Sequence, residues 1–153
     1  MTPARCSPAD RMAAVSVRAA TNNDSARIGE LRSSLQATML SLRGGSLLWQ
    51  ERHASPDMHR SMIFVAEVGG YVVGFLLCVM READMEIFEV HVEETARGLG
   101  AGDALVAFAI EAARNEGARS VTADALPGDR DTKNLFERAG LISQRLLMRK
   151  DLA

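Results

Sequence analysis

A short glycine-rich turn near the middle of the chain has the composition of a phosphate-binding site. It consists of six consecutive residues: Arg97, Gly98, Leu99, Gly100, Ala101 and Gly102. The first amides of a helix have no intrahelical acceptor and carry partial positive charge, so anions bind there readily. Glycine lets a phosphate approach the backbone without meeting a Cβ atom, and the arginine adds a fixed positive charge. The turn therefore predicts a diphosphate cradle at the start of a helix.

Two common phosphate motifs do not fit this turn. A Walker loop requires a lysine after its last glycine, and a dinucleotide fingerprint requires glycine where Asp103 stands. The pattern that fits is Arg-x-x-Gly-x-Gly, beginning five residues after the predicted strand end at Val92. This spacing resembles the central motif of the GNAT superfamily of acyl-CoA N-acyltransferases. The alternative is an ordinary tight turn between a strand and a helix.

Three carboxylates are candidates for the general base that an amine acceptor needs. Glu86 and Asp124 stand where members of the resembling family place an acid. Glu89 lies inside the apolar run 87–90, where an unpaired carboxylate is costly. Each also has an ordinary structural reading: Glu86 as a solvated strand residue, Glu89 as the partner of an arginine, and Asp124 as a turn cap.

Hydrophobic periodicity predicts the elements that position these residues. Strands are expected at 15–18, 62–68, 71–80, 85–92, 120–125 and 143–150. Helices are expected from the caps at Asn22–Asp24 past residue 39, from 47 to about 55, at 101–116 and at 131–139. The helix 101–116 joins two strands that should be parallel, whereas the glycine pair 69–70 makes an antiparallel hairpin.

This order of elements matches the GNAT fold from Val15 to Lys150. The resemblance implies an α/β (α+β) domain with a mixed, mostly antiparallel central sheet, helices on both faces, and a parallel crossover between the fourth and fifth strands. Segments 17–20 and 134–141 resemble the opening and closing segments of the family. We expect residues 1–14 to be a flexible leader and residues 15–153 to be the acetyltransferase domain.

The resemblance also assigns roles along the fourth strand and the turn. Acetyl-CoA is expected between the fourth and fifth strands, with its pantetheine amides on the main chain of Val90, His91 and Val92. The amides of residues 98–103 should hold the pyrophosphate, with the Asp103 carboxylate pointing away. Phe136 aligns with the tyrosine that often serves as the general acid. Because phenylalanine has no proton to give, the acid is unassigned.

The leading functional prediction is transfer of an acetyl group from acetyl-CoA to a primary amine of a small molecule or peptide. A pocket holding three carboxylates should attract a cationic acceptor. Two alternatives stay open: a non-catalytic acyl-CoA-binding module, favoured by Phe136, and a nucleotide or dinucleotide binder, favoured by the glycines. The resembling family is often homodimeric, so a homodimer is expected.

Composition excludes several other classes. With 47% hydrophobic and 25% charged residues and a net charge of -2, the chain has no basic field that would favour nucleic acid or a membrane surface. Its histidines lack metal-ligand spacing, so no metal is expected. Cys6 and Cys78 form no disulfide framework, and the longest apolar run, 71–80, is too short to span a bilayer. The expected compartment is the cytoplasm.

Overall fold

The computed structural model describes residues 15–54 and 60–152. The strands in this part of the chain form one sheet in the order β1-β2-β3-β4-β5, and their bounds are β1 (Val15–Ala19), β2 (Ser61–Val68), β3 (Tyr71–Arg81), β4 (Asp84–Val92) and β5 (Ser120–Ala123). Neighbouring strands are antiparallel except β4 and β5, which are parallel. The predicted mostly antiparallel sheet with a parallel crossover is confirmed.

Helices cover both faces of the sheet, as predicted. Their bounds are α1 (Ser25–Leu40), α2 (Gly45–Ala54), α3 (Ala101–Asn115) and α4 (Arg130–Arg138). Apolar side chains at helical spacing are buried on α1 (Ile28, Leu31, Leu35, Met39) and on α3 (Leu105, Val106, Ala109, Ala113). Two apolar layers result, one between the sheet and α1–α2, the other between the sheet and α3–α4.

A β-bulge in β4 changes which side chains face each layer. Leu77 of β3 lies opposite Glu89, but the next residue, Cys78, lies opposite Ile87, so Phe88 is an extra residue in β4. Strict alternation would place Glu89 on the α3 face with Ile87. The bulge instead turns Glu89 toward α1 and α2, where its carboxylate meets Arg32.

The parallel pair β4–β5 is short. Only four residues of β4, from Asp84 to Ile87, have partners in β5. From Phe88 to Val92 the outer edge of β4 has no strand beside it in the described part of the chain. The pairing of β4 with β5 therefore ends where the sequence predicts acetyl-CoA.

The predicted strand at 143–150 is wrong. Residues 141–152 have no regular secondary structure, and the preceding strand ends at Ala123 rather than at 125. The predicted leader, 1–14, lies outside the described residues. Within the described ranges, no helix is long and apolar enough to cross a bilayer.

Candidate active site

The turn after β4 has a backbone shape that requires glycine. Gly98 and Gly100 have φ values of 83° and 84°, in the left-handed region that side chains rarely adopt. Gly100 is the residue immediately before α3, so the turn delivers the chain directly to the helix N-terminus. A Cβ atom at either glycine would meet no other atom within 4 Å. Backbone conformation and an open outer surface, not internal packing, therefore explain these glycines.

The amides of this turn have no internal acceptor. None of the N–H groups from Gly98 to Asp103 donates a hydrogen bond to another described residue. They border a cleft of about 840 Å³ whose lining includes Val90, His91, Val92 and residues 97–103. Free amides at the positive end of a helix, beside a cleft of this size, suit an anionic ligand.

The edge of β4 forms a second wall of the cleft. Because β5 has already ended, the outward peptide groups of residues 88–92 lack a strand partner there. Such an edge can pair with an extended ligand as it would with another strand. His91 lies on this wall, and burial, followed by the charge of Arg97, holds its pKa below the ordinary value. Its imidazole is therefore neutral at pH 7.

Charged residues flank the turn. Asp103 lies on the first turn of α3, and its carboxylate accepts a hydrogen bond from Arg138 Nε at 2.9 Å. The guanidinium of Arg97 lies 3.9 Å from the Asp131 carboxylate, with both side chains well exposed. The Asp103 charge is thus balanced by α4, and the exposed Arg97 side chain lies at the mouth of the cleft.

Glu89 is the most buried of the three candidate carboxylates, with 3% of its surface exposed. Its Oε1 accepts a hydrogen bond from Arg32 Nη2 at 2.8 Å. Its Oε2 is buried and has no hydrogen-bond partner among the described residues. A buried carboxylate oxygen left unpaired costs stability, so this atom suits a functional contact.

His53 of α2 completes the surroundings of Glu89. Its Nδ1 lies 2.7 Å from the carbonyl oxygen of Trp49, and its Nε2 lies 3.1 Å from Arg32 Nη2. The carbonyl can only accept and the guanidinium can only donate, so these two contacts favour a proton on Nδ1; Nε2 also lies 3.6 Å from Glu89 Oε1. Trp49 stacks on the same ring at 4.2 Å and packs against the α1–α2 core.

The other two candidate carboxylates are also paired with arginines. Arg81 Nε lies 3.5 Å from Glu86, and Arg52 Nη2 lies 3.8 Å from Asp124. Glu86 belongs to the part of β4 that still pairs with β5, whereas Asp124 directly follows the end of β5. The predicted acidic pocket is therefore wrong: each carboxylate has a cationic partner, and the region is nearly charge-balanced.

A comparison with known families identifies the family of the chain. The profile described as "Acetyltransferase (GNAT) family" matches residues 30–141, which is well over half of the chain. The chain belongs to the GNAT acetyltransferase family. A search of curated protein sequences found no match.

Solved structures agree with this GNAT assignment at the level of the fold. A variant of the BH1408 protein of Bacillus halodurans has 16% identity and a TM-score of 0.74, over 90% of this chain and 99% of that one. The aminoglycoside N-acetyltransferase AAC(6')-Iy in complex with CoA has 16% identity and a TM-score of 0.67, over 90% and 100%. The ribosomal-protein-alanine N-acetyltransferase of Brucella melitensis has 19% identity and a TM-score of 0.68, over 92% and 100%.

One position departs from the pattern common in GNAT enzymes. Phe136 of α4 is 7% exposed and belongs to the α3–α4 core. It also lines a small cavity of about 30 Å³, together with Arg52, Glu89 and Asp124. Its ring can pack beside a ligand, but it cannot donate a proton. The described residues also hold no acidic, histidine or cysteine group arranged to bind a metal ion.

Sequence reasoning missed Arg52, the cation that fills the space between Glu89 and Asp124. Its side chain is about 10% exposed, it donates to the carbonyl oxygen of Phe88, and its Nε has no partner among the described residues. Burial lowers the pKa of Arg52. The negative charges of Asp124, Glu86 and Glu89 act in the opposite direction but do not cancel the lowering. Arg52 lies one helical turn from Trp49 on α2, but nothing in the sequence pattern indicated that its side chain points inward.

Proposed function

We propose that this GNAT protein is an N-acetyltransferase that moves an acetyl group from acetyl-CoA to a primary amine by direct attack in a ternary complex. The observation that carries the proposal is the end of β4–β5 pairing after Ile87, which leaves the β4 edge open to a cleft bordered by free helix-end amides. The β4 edge can form hydrogen bonds with an amide-bearing chain, and the helix-end amides can bind a diphosphate.

In this proposal the cleft residues divide the binding of acetyl-CoA among them. The amides of Gly98 to Asp103 hold the pyrophosphate, and Arg97 adds its charge at the cleft mouth. Main-chain groups at Val90, His91 and Val92 pair with the pantetheine amides. Leu99 and Ala101 contribute backbone amides rather than side chains, since Ala101 is buried and Leu99 packs against the α3–α4 core. Phe136 packs near the thioester end.

Glu89 is the proposed proton acceptor. An ammonium acceptor must lose a proton before its nitrogen can attack, and a buried carboxylate beside the β4 edge is placed to receive it. The 30 Å³ cavity lined by Glu89 has room for a water molecule, and it shares lining residues with the larger cleft. A water there would satisfy Oε2 and relay the proton from the amine.

The rest of the reaction needs little from acidic side chains. The amine nitrogen forms a bond to the acetyl carbon, a backbone amide near His91 or Val92 stabilises the oxyanion, and the carbon–sulfur bond then breaks. CoA departs as a thiolate, which is acceptable because an ordinary thiol has a pKa of about 8.5, and the second proton of the attacking nitrogen, released as the amide forms, goes to this thiolate or to water. This accounts for a phenylalanine at position 136. Positioning of the two substrates supplies much of the rate.

The proposed acceptor is a primary amine of a small molecule or a peptide. Two structural neighbours are named for such acceptors, an aminoglycoside and a ribosomal-protein alanine. Because Arg32, Arg52 and Arg81 balance the nearby carboxylates, the pocket itself gives no strong preference for a highly charged cation. The cavity beside Arg52 is small, so an acceptor must displace that side chain or approach from the larger cleft.

Two measurements test the proposal. In the first, thermal unfolding is followed with acetyl-CoA, CoA, NADH and ATP in parallel. A ligand at a hundred times its dissociation constant stabilises by about 2.7 kcal/mol, so acetyl-CoA should raise the melting temperature and NADH should not. No shift with acetyl-CoA, or a shift with NADH alone, would refute the acyl-CoA cleft.

In the second, release of free CoA thiol is followed with a panel of small amines and amino-terminal peptides. Burial raises the pKa of the Cys78 thiol to about 11, so this cysteine should stay silent in the native protein. Turnover with any primary amine supports the enzyme. Stabilisation by acetyl-CoA without turnover on the whole panel would favour the second candidate, an acyl-CoA-binding module, which the missing tyrosine at position 136 motivates.

The cytoplasmic location stays a prediction from the sequence. A homodimer is proposed as well, because the family is often homodimeric.

A further inference from the structure

Two buried side-chain atoms lack a hydrogen-bond partner among the described residues, and they belong to two residues that line the same cavity. The atoms are Glu89 Oε2 and Arg52 Nε. The carboxylate oxygen can only accept a hydrogen bond, whereas the guanidinium nitrogen can only donate one. The cavity is small, at about 30 Å³. A ligand that satisfies both residues must therefore carry a donor and an acceptor close together.

Arg52 is a buried cation with few contacts. Its side chain is 10% exposed, and the carboxylate that lies within 4 Å of it in the described structure, that of Asp124, is 3.8 Å away and 61% exposed. The hydrogen bond that its guanidinium makes there goes to a neutral group, the carbonyl oxygen of Phe88. Arg18 and Arg32, by contrast, each donate to a carboxylate at 2.8 Å. Arg52 therefore has unused donors that suit an anion.

The charges around the cavity are balanced in number before a ligand enters. Arg32 pairs with Glu89, and Arg52 faces Asp124. Asp129, the remaining carboxylate of the cavity wall, caps the N-terminus of α4. An ammonium group alone would add an uncompensated positive charge to this confined space, which is costly. A ligand that carries one positive and one negative charge adds no net charge.

The cavity lies where the proposed chemistry needs an acceptor. Glu89 is the proposed proton acceptor, and Val90 lines both this cavity and the cleft proposed for acetyl-CoA. Arg52 reaches the same place from α2, through its contact with Phe88, the extra residue of the β4 bulge. An anionic group held by Arg52 would therefore lie beside an amine that faces Glu89.

We propose that the acceptor is a small amino acid whose carboxylate binds the Arg52 guanidinium while its amine faces Glu89. This inference rests on the proposed transferase function and identifies the class of its acceptor. The planar guanidinium can make two parallel hydrogen bonds to a carboxylate, which fixes the direction of the amine. The size of the cavity favours an amine and a carboxylate as close together as in glycine or β-alanine.

The reaction is balanced with this acceptor. One proton of the ammonium passes through the water beside Oε2 to Glu89. The nitrogen bonds to the acetyl carbon as the carbon–sulfur bond breaks, and the second proton goes to the CoA thiolate or to water. The products are an N-acetylamino acid and CoA. The acceptor carboxylate stays bound to Arg52 and takes no part in bond making.

Acceptors that differ in the carboxylate alone are the first test. Release of CoA thiol is measured with glycine, L-alanine and β-alanine, and with the amide of each. The amines of the amides are less basic, so the acid-to-amide ratio of kcat/KM is compared between proteins. In Arg52→Met this ratio should fall at least tenfold, mainly because KM rises for the acids. Partial unfolding would slow both acceptors alike and leave the ratio unchanged.

Arg81→Met is the matched control. Like Arg52, Arg81 places its guanidinium over the ring of Phe88, but its ion pair is with Glu86. Its removal should keep the acid-to-amide ratio within about twofold. An unchanged ratio in Arg52→Met, or an equal fall in both variants, overturns the proposal.

The acyl group is the other possible source of a carboxylate. If Arg52 binds an acidic acyl chain, the wild-type protein should prefer succinyl-CoA to acetyl-CoA with L-alaninamide as the acceptor, and Arg52→Met should lose that preference. This outcome would assign Arg52 to the donor and overturn the amino-acid proposal. Equal or slower transfer from succinyl-CoA supports the acceptor site.

Binding without turnover separates a wrong acceptor from a wrong enzyme. In calorimetric titrations of the wild-type protein saturated with CoA, L-alanine should bind at least tenfold more tightly than L-alaninamide or ethylamine. Turnover of simple amines with no preference for acids, in rate or in binding, overturns the amino-acid proposal and leaves the transferase proposal standing. No turnover with any amine overturns the transferase proposal, and the titration then decides alone whether Arg52 forms a carboxylate site.

Discussion

Arg32 Nη2 lies 2.8 Å from Glu89 Oε1, and this contact joins α1 to the bulge of β4 beside the open strand edge. The arginine is partly exposed, whereas the carboxylate is almost fully buried. The pair therefore holds a charge in the interior while leaving Glu89 Oε2 without a partner among the described residues. It links the stability of the fold to the proposed chemistry.

A double-mutant cycle measures this link. Arg32→Met should lower the free energy of unfolding by about 2–4 kcal/mol, because it leaves the Glu89 charge buried without its cation. The same change in a Glu89→Gln background should cost under about 1 kcal/mol, since no charge is then left unpaired. Urea unfolding of the four proteins gives the coupling. Equal losses in both backgrounds would show that the pair is not coupled.

Glu89→Gln should reduce kcat by about 10²–10³, because the amide cannot take the proton of the acceptor ammonium. Glu86→Gln is the matched control, as Glu86 lies on the same strand where β4 still pairs with β5. It should change kcat by less than about threefold. Steady-state rates across pH 6 to 10 test both variants. If the Glu89 defect disappears at high pH, where the amine is already neutral, the proton-acceptor role is supported; a defect of equal size at every pH contradicts it.

Gly100→Asp should weaken binding of acetyl-CoA at least tenfold, because it places a carboxylate beside the proposed pyrophosphate site. Gly100→Asn is the control of nearly equal shape, since both residues tolerate the left-handed backbone found at this position. Calorimetric titration of the two proteins separates charge from strain. Equal affinities in the two variants would refute the phosphate cradle.

The sequence predicted the fold well because its strongest signals are local. Three local signals each predict one part of the topology: the apolar face of α3, the glycine pair 69–70 and the turn 97–102. The hydrophobic pattern of the strands and helices then leaves few ways to assemble these elements into a sheet. The arrangement around Glu89 was not predictable in the same way. It depends on the bulge at Phe88, which reverses the alternation of β4, and on arginines brought from α1 and α2 by packing. The strand predicted at 143–150 failed because a pattern shows that a segment can pair but not what it pairs with.

Two glycines of the α1–α2 region should respond in opposite ways to alanine. A Cβ atom on Gly45 would lie 1.6 Å from the carbonyl oxygen of Met39, so Gly45→Ala must displace the backbone and should cost about 1–3 kcal/mol. Gly29 lies inside α1 with no atom within 4 Å of an added Cβ, so Gly29→Ala should stabilise by about 0.5–1 kcal/mol. Thermal unfolding measures both. A stabilising Gly45→Ala would contradict the close approach of the two helices.

Asp24 should make the stability of the domain depend on acid pH. Hydrogen bonds from Arg18, then from the Thr21 amide, lower the pKa of Asp24 to about 2 in the folded state, against about 3.9 when unfolded. The unfolded chain therefore binds the proton more readily, and the stabilisation is full above pH 4 and lost as the pH falls toward 2. At pH 7, Asp24→Asn should cost about 1–3 kcal/mol. The difference between wild type and variant should shrink over this window, and a constant difference from pH 7 to 2 would show that Asp24 has an ordinary pKa.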